Sequence, residues 1–185
     1  MESLSVLHER IRVCQLCPLG ATRINAVPGE GPSAPRIMLI GEAPGRNEDE
    51  QGRPFCGAAG KKLDALLHAA GLDRKDVFIT SVVKCRPPEN RVPTLTEAHT
   101  CKSNYLFPQT QLLAPKIIGL MGRTAIAHVL ENEKTDLDSM HGKTLERGGQ
   151  TYMILYHPAA MIYNQKLKET MEKDFIQLRM SAESL

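Results

Sequence analysis

RIMLIG, residues 36–41, runs straight into GEAPGRNEDEQGRPFCGAAG, residues 41–60, and this junction decides how the chain is built. Four consecutive apolar residues bounded by a glycine read as a short buried strand. Five glycines and two prolines in the next twenty residues rule out a regular element through most of that stretch. AAGKKLDALLHAAG, residues 58–71, then sets Leu63, Leu66 and Leu67 on one helical face and ends on Gly71. Strand, loop and helix in this order form half of a βαβ unit, and the pattern recurs downstream. DVFITSVVK (76–84), KIIGLMG (116–122) and TYMILYHP (151–158) read as further strands rich in β-branched and apolar residues. Helices are expected at 6–14, at 97–113 capped by Thr96, at 123–131 and at 166–180. The polar segment 132–150 is expected to hold a turn and one short strand. Strands alternating with helices imply an α/β fold with a mostly parallel sheet between two helical layers. Ligands in such sheets bind at the carboxyl ends of the strands. The loops starting at Gly41, Lys84, Gly122 and His157 should therefore converge.

With 185 residues the chain fits one domain, residues 1–185, large enough to bury a substantial core. A net charge of +2 excludes binding by bulk positive charge while allowing a local basic face. No apolar run approaches the roughly 20 residues of a membrane span. MESLSVLHERIRVC lacks the apolar centre of a secretory signal, so an intracellular, cytoplasmic protein is expected.

In a reducing compartment the five cysteines do not suggest disulfides. Cys14-x2-Cys17 is followed far downstream by Cys85 and Cys101. A zinc ribbon or finger normally brings its second pair close together. Four thiolates from one close pair and two distant positions suit an iron–sulfur cluster, against the alternative of four unrelated buried thiols. Pro18, Pro87 and Pro88 favour rigid turns that present ligands. Cys56, without a cysteine partner nearby, reads as a small buried hydrophobe.

The loop after the first strand is neither a dinucleotide fingerprint nor a phosphate-binding loop. Its glycines are wrongly spaced, Pro44 removes an amide donor, and no Gly-Lys-Ser/Thr follows. Asp49 and Glu50 read as solvated charges. Glu42 is different, because a carboxylate one residue past a buried strand needs a partner or a task. Phe55 sits in a glycine-rich loop of a tryptophan-free chain, where it could be core or a platform for a flat ligand. His157 tops the last strand just before Pro158 and is equally balanced between structural and functional roles.

Together, Cys14-x2-Cys17, GEAPGRNEDEQGRPFCGAAG, VVKCRPPENR (82–91), Cys101 and HPAA (157–160) resemble the family 4 uracil-DNA glycosylases in order and spacing. The resemblance implies a three-layer α/β/α fold with a central four-stranded parallel sheet and a 4Fe-4S cluster on Cys14, Cys17, Cys85 and Cys101. It also implies hydrolysis of the bond between uracil and deoxyribose in single- or double-stranded DNA, after the base is flipped into a pocket; a monomer is expected. Phe55 would stack on uracil, and the Gly41–Ala43 turn would approach its carbonyls. His157 would donate to the carbonyl where charge develops. Glu42 would face the sugar cation or orient water, and Glu48 would act at one remove. Basic residues Lys84, Arg86 and Arg91, with Lys61 and Lys62, are candidates for phosphate contacts, and Met161 for the wedge that replaces the flipped base.

One position departs from that pattern. Where the family usually has an asparagine before VVKCRPP, this chain has Ser81. A hydroxyl cannot offer donor and acceptor in one fixed plane, so weaker activity, looser specificity or a water bridging Ser81 to the base is expected. Two competing readings remain on the sequence alone. One is a damage-binding or redox-sensing cluster protein that has lost the reaction, and the other an enzyme acting on free deoxyuridine compounds. Retention of Glu42, Phe55 and His157 opposes the first, and the basic loops oppose the second.

Overall fold

The computed structural model describes residues 3–131 and 135–185. Five strands form one sheet: β1 (Ile37–Gly41), β2 (Val77–Ser81), β3 (Ile117–Met121), β4 (Thr144–Arg147) and β5 (Gln150–Leu155), in the order β2-β1-β3-β5-β4. The expected four parallel strands are β2, β1, β3 and β5. β4 adds a fifth at the edge, antiparallel to β5. Its cause is local: Gly148 and Gly149, at φ 57° and 79°, make the two-residue turn that lets a strand fold back on its neighbour. β4 alternates half-buried and exposed residues and carries Glu146 and Arg147, suitable chemistry for an open edge.

The helices in chain order are α1 (Leu4–Arg12), α2 (Leu19–Thr22), α3 (Arg46–Gln51), α4 (Ala58–Ala69), α5 (Leu95–Cys101), α6 (Phe107–Leu113), α7 (Arg123–Leu130), α8 (Leu137–Met140), α9 (Ala160–Tyr163) and α10 (Lys168–Ser184). β1, β2 and β3 are buried along their whole length, which explains why they read as mainly apolar segments without polar alternation. Their alternate residues supply two separate cores. Met38, Ile40, Phe78 and Ile118 pack on the face with Leu7, Ile11, Leu106 and Ile126. Leu39 and Ile79 pack on the other, with Met153 of β5 and with Leu63, Leu66, Phe175 and Leu178. This period-two division yields the three layers.

Three expectations need correction. α5 is capped by Thr94, which accepts from the Glu97 N–H while Glu97 accepts from the Thr94 N–H; Thr96 lies inside the helix. The expected helix 97–113 is divided by a π-helical stretch, Lys102–Leu106, immediately after Cys101. Asp49 is buried, because its Oδ1 accepts from the N–H groups of Ile24 and Asn25 at 2.9 and 3.2 Å. Glu50 does remain outside, paired with Arg46.

The order β2-β1-β3 makes β1 the point at which successive connections leave in opposite directions along the sheet. A crevice opens at such a point above the carboxyl ends of the strands. The loops after β1 and β2 stay zipped together beyond the sheet, with Val82 N donating to Gly41 O and Val83 N to Glu42 O.

Candidate functional site

A cavity of about 510 Å3 opens above these strand ends, and Glu42, Ala43, Glu48, Phe55, Ser81 and His157 all line it. The sequence-predicted residues thus come from three strand ends separated by more than a hundred positions. Gly41 lies under the Phe55 ring: a Cβ there would come within 2.9 Å of Phe55 Cζ. The absence of a side chain at 41 is therefore a condition for the ring's position.

Phe55 has φ 50°, in the left-handed region that costs an ordinary side chain about 1–3 kcal/mol. Its surroundings hold it there. Glu48 Oε1 accepts from the N–H groups of both Cys56 and Gly57 at 3.0 Å, while Oε2 accepts from Gly45 N at 3.1 Å. On the other side, Arg74 Nη1 donates to Pro54 O at 3.1 Å and Nη2 donates to Phe55 O. Gly60 completes the seat, because any Cβ would collide with the Phe55 carbonyl. Sequence reasoning gave Glu48 a role at one remove and missed Arg74. Nothing in a lone arginine after a helix signals that it reaches back nearly twenty residues.

His157 faces the Phe55 ring, with centroids 5.6 Å apart and planes tilted by 31°. Its Nδ1 accepts the Ala159 N–H at 3.1 Å. Burial pulls its pKa down to about 4, so the imidazole is neutral near pH 7 and its proton sits on Nε2. Gly122, at φ 94°, packs against it, since a Cβ would lie 3.1 Å from His157 Cβ. Ser81 is buried at the end of β2.

Two candidates for DNA contact are displaced by burial. Lys84 is 1% exposed, and its ammonium donates to Thr80 Oγ1, to Ser81 O at 3.0 Å and to Gln109 Oε1 at 2.8 Å. It cannot reach a phosphate. Met161 is buried among the apolar residues beneath α9, whereas Ile162 and Tyr163 on the same short helix are exposed. The wedge role therefore cannot belong to Met161. Arg91 is held by Glu97, with both terminal nitrogens donating to the carboxylate at 2.8 and 2.9 Å. Arg86 Nε donates to Asn90 Oδ1 at 2.7 Å, and Asn90 lines the mouth of the cavity. Lys61 is exposed and Lys62 half-buried at the start of α4.

The four cysteines Cys14, Cys17, Cys85 and Cys101 line a second, much smaller cavity. Three of their sulfurs accept hydrogen bonds: Cys14 from Leu16 N at 3.4 Å, Cys101 from Lys84 N at 3.3 Å, and Cys85 from Arg23 Nη1 at 3.1 Å. Burial pushes the Cys85 thiol up to about 11 and Cys101 up to about 12. Among the described residues, no group of three His, Cys, Asp or Glu side chains is gathered tightly enough for a single metal ion. Cys56 is outside this cavity, as expected. It is half-exposed instead of packed, because its backbone is committed to Glu48.

Residues 28–179 match the family model described as the uracil DNA glycosylase superfamily. The chain is 43% identical to a type-4 uracil-DNA glycosylase of Archaeoglobus fulgidus over 182 residues, covering 95% of this chain and 91% of that protein. It is 42% identical to one of Saccharolobus solfataricus, covering 100% and 88%, and 44% identical to one of Pyrobaculum aerophilum, covering 92% and 90%.

Proposed function

The chain belongs to the uracil DNA glycosylase superfamily, and from that premise we propose that its larger cavity receives a uracil flipped out of DNA and that the residues lining it drive glycosidic hydrolysis. The enzyme is a DNA-repair hydrolase of the type-4 kind, a reading supported by its relatives. A base cannot be reached inside the duplex, so it must leave the stack. Phe55 gives it a new stacking face, and the side-chain-poor turn Gly41–Ala43 lets backbone amides approach its carbonyls.

As the bond to the sugar breaks, its electron pair passes to uracil and positive charge is left on the deoxyribose. The observation that carries the reading is the fixed state of His157. Ala159 occupies Nδ1 and burial keeps the ring neutral, leaving Nε2–H as a donor for a uracil carbonyl oxygen. Such a preorganised donor lowers the barrier by about 3–4 kcal/mol. It strengthens its hydrogen bond as uracil becomes an anion and transfers no proton. Glu42 faces the sugar side, where a carboxylate opposes the developing cation and orients the attacking water. Position 43 is alanine and supplies no base. The path is therefore dissociative, driven by the leaving group. The Ser81 hydroxyl reads one uracil atom where an amide would read two, and this makes discrimination weaker.

The donor set of the smaller cavity fits a 4Fe-4S cluster. Four thiols line one space, and three of them already accept hydrogen bonds. Such a cluster, when bound, would cross-link the CxxC segment, the loop after β2 and α5 through four iron–thiolate bonds. Arg86, hydrogen-bonded to the cavity-lining Asn90, and the exposed Tyr163, which lines the cavity itself, would meet the DNA, with Tyr163 taking the wedge position. No described helix is long and apolar enough to cross a membrane. A DNA substrate would place the enzyme inside the cell.

The test is abasic-site formation on single- and double-stranded oligonucleotides containing uracil, followed by cleavage at the abasic site. Product from the wild type, with His157→Ala slower by about 10²–10³-fold, is expected. An intact oligonucleotide with both substrates overturns the proposal.

A further inference from the structure

The segment Pro54–Gly57 is held by opposite charges on its two sides. The consecutive carbonyls of Pro54 and Phe55 both face Arg74, and the consecutive amides of Cys56 and Gly57 both face Glu48. Arg74 is itself fixed before it meets the loop. Its Nε donates to Asp64 Oδ1 on α4 at 2.6 Å and its Nη1 to Glu30 Oε1 at 2.9 Å. Glu30 is fastened in turn to β2, exchanging backbone hydrogen bonds with Ile79, and its carboxylate also pairs with Arg53 of the same loop. The guanidinium thus carries the position of the sheet and of α4 to the two peptide groups that flank the left-handed Phe55.

We infer that Arg74 is a positioning residue for the base-stacking ring, fixing the height of Phe55 over Gly41 and its separation from His157. The inference rests on the reading of Phe55 as the stacking face for uracil. Lysine cannot replace arginine here. A single ammonium presents its donors from one point, whereas the planar fork reaches two carbonyls and two carboxylates at once. Small misplacements of a positioning group cost large factors in rate. The effect must also pass through the phenyl ring, so removing the ring should remove most of Arg74's influence.

The experiment compares wild type, Arg74→Lys, Phe55→Ala and the double variant in single-turnover cleavage of a single-stranded uracil oligonucleotide, with the inhibition constant of free uracil and the thermal midpoint of each. Arg74→Lys should slow cleavage and weaken uracil inhibition about 10- to 100-fold. In the Phe55→Ala background the same change should alter both by less than about twofold, the non-additivity of residues acting as a unit. Arg74→Lys matching the wild type overturns the inference. So does an effect of equal size with and without the phenyl ring, which would mark Arg74 as a general structural support. A wild type that leaves the oligonucleotide intact overturns the reading of the site and the inference with it, whereas an active wild type with an equally active Arg74→Lys overturns the inference alone.

Discussion

The loops after β1 and β2 leave the same edge of the sheet side by side, yet they solve the problem of irregular buried backbone in opposite ways. The first uses side chains of its own and of neighbouring elements. Glu48 collects three amides, Arg74 two carbonyls, and Asp49 the amides of Ile24 and Asn25. The second buries a lysine against Thr80 and Gln109 and aims backbone and guanidinium donors at cysteine sulfurs. A loop tied by carboxylates and a guanidinium is complete once folded. A loop whose acceptors are thiols reaches full strength only when those sulfurs become metal-bound thiolates. The pocket should therefore be rigid by itself, and the cysteine side should depend on the proposed cluster.

The hardest way to break that contrast is Cys85→Ala. The protein should lose its brown colour and iron content, and the loop 82–91 should become protease-sensitive. A colourless wild type carrying zinc would reverse the assignment. Next in size is His157→Ala, expected to lower the rate about 10²–10³-fold without loss of iron. The same histidine makes a pH prediction. Its folded pKa of about 4 lies below the ordinary 6.5, so the unfolded chain binds more protons between these values. Stability is then complete above about pH 6.5 and falls as the pH drops toward 4, by about 3 kcal/mol for a group this buried. His8 is pulled down to about 4 as well, by burial and then by Lys84, and adds to the slope. Urea midpoints at pH 5 and pH 7 should differ for the wild type and differ less for His157→Gln. An unchanged difference would mean that His157 titrates normally.

Much of this contrast was already legible in the sequence, unevenly. Glu42, Phe55 and His157 stood out because each breaks a local pattern: a polar or aromatic group where a buried strand gives way to a glycine-rich or proline-containing turn. Cys14, Cys17, Cys85 and Cys101 stood out by spacing. What sequence could not supply was the direction in which side chains point. Lys84 follows two valines and precedes a cysteine, and nothing in that order says that its ammonium turns inward to Gln109, 25 positions away. Met161 and Tyr163 are two residues apart on a helix of a single turn, so they lie on different sides, and only packing against the core decides which is covered. Asp49 looked solvated inside an acidic run because its partners, at 24 and 25, are amides that any sequence would offer.

Ser81→Asn sharpens the pocket side of the comparison. Ser81 lines the cavity at the buried end of β2, and an amide there would offer a donor and an acceptor to uracil together. Cleavage of uracil oligonucleotides should rise about tenfold, in line with one added hydrogen bond of 1–1.5 kcal/mol. Equal rates for wild type and variant would mean that the hydroxyl already suffices.

The smallest effect separates the two loops most cleanly. Thr94 and Glu97 close the amino end of α5, the helix that delivers Cys101, and neither lines the larger cavity. Thr94→Ala removes the cap and should lower stability by about 1 kcal/mol, read as an earlier urea midpoint and faster loss of iron to a chelator. Single-turnover cleavage by the iron-loaded protein should stay unchanged, because the pocket is held by Glu48 and Arg74 and not by α5. Thr96→Ala, at the second residue of the helix and with no part in the cap, should leave both measurements where they were. If Thr94→Ala slows cleavage in proportion to its loss of stability, the two loops are one cooperative unit and the pocket depends on the cysteine side after all.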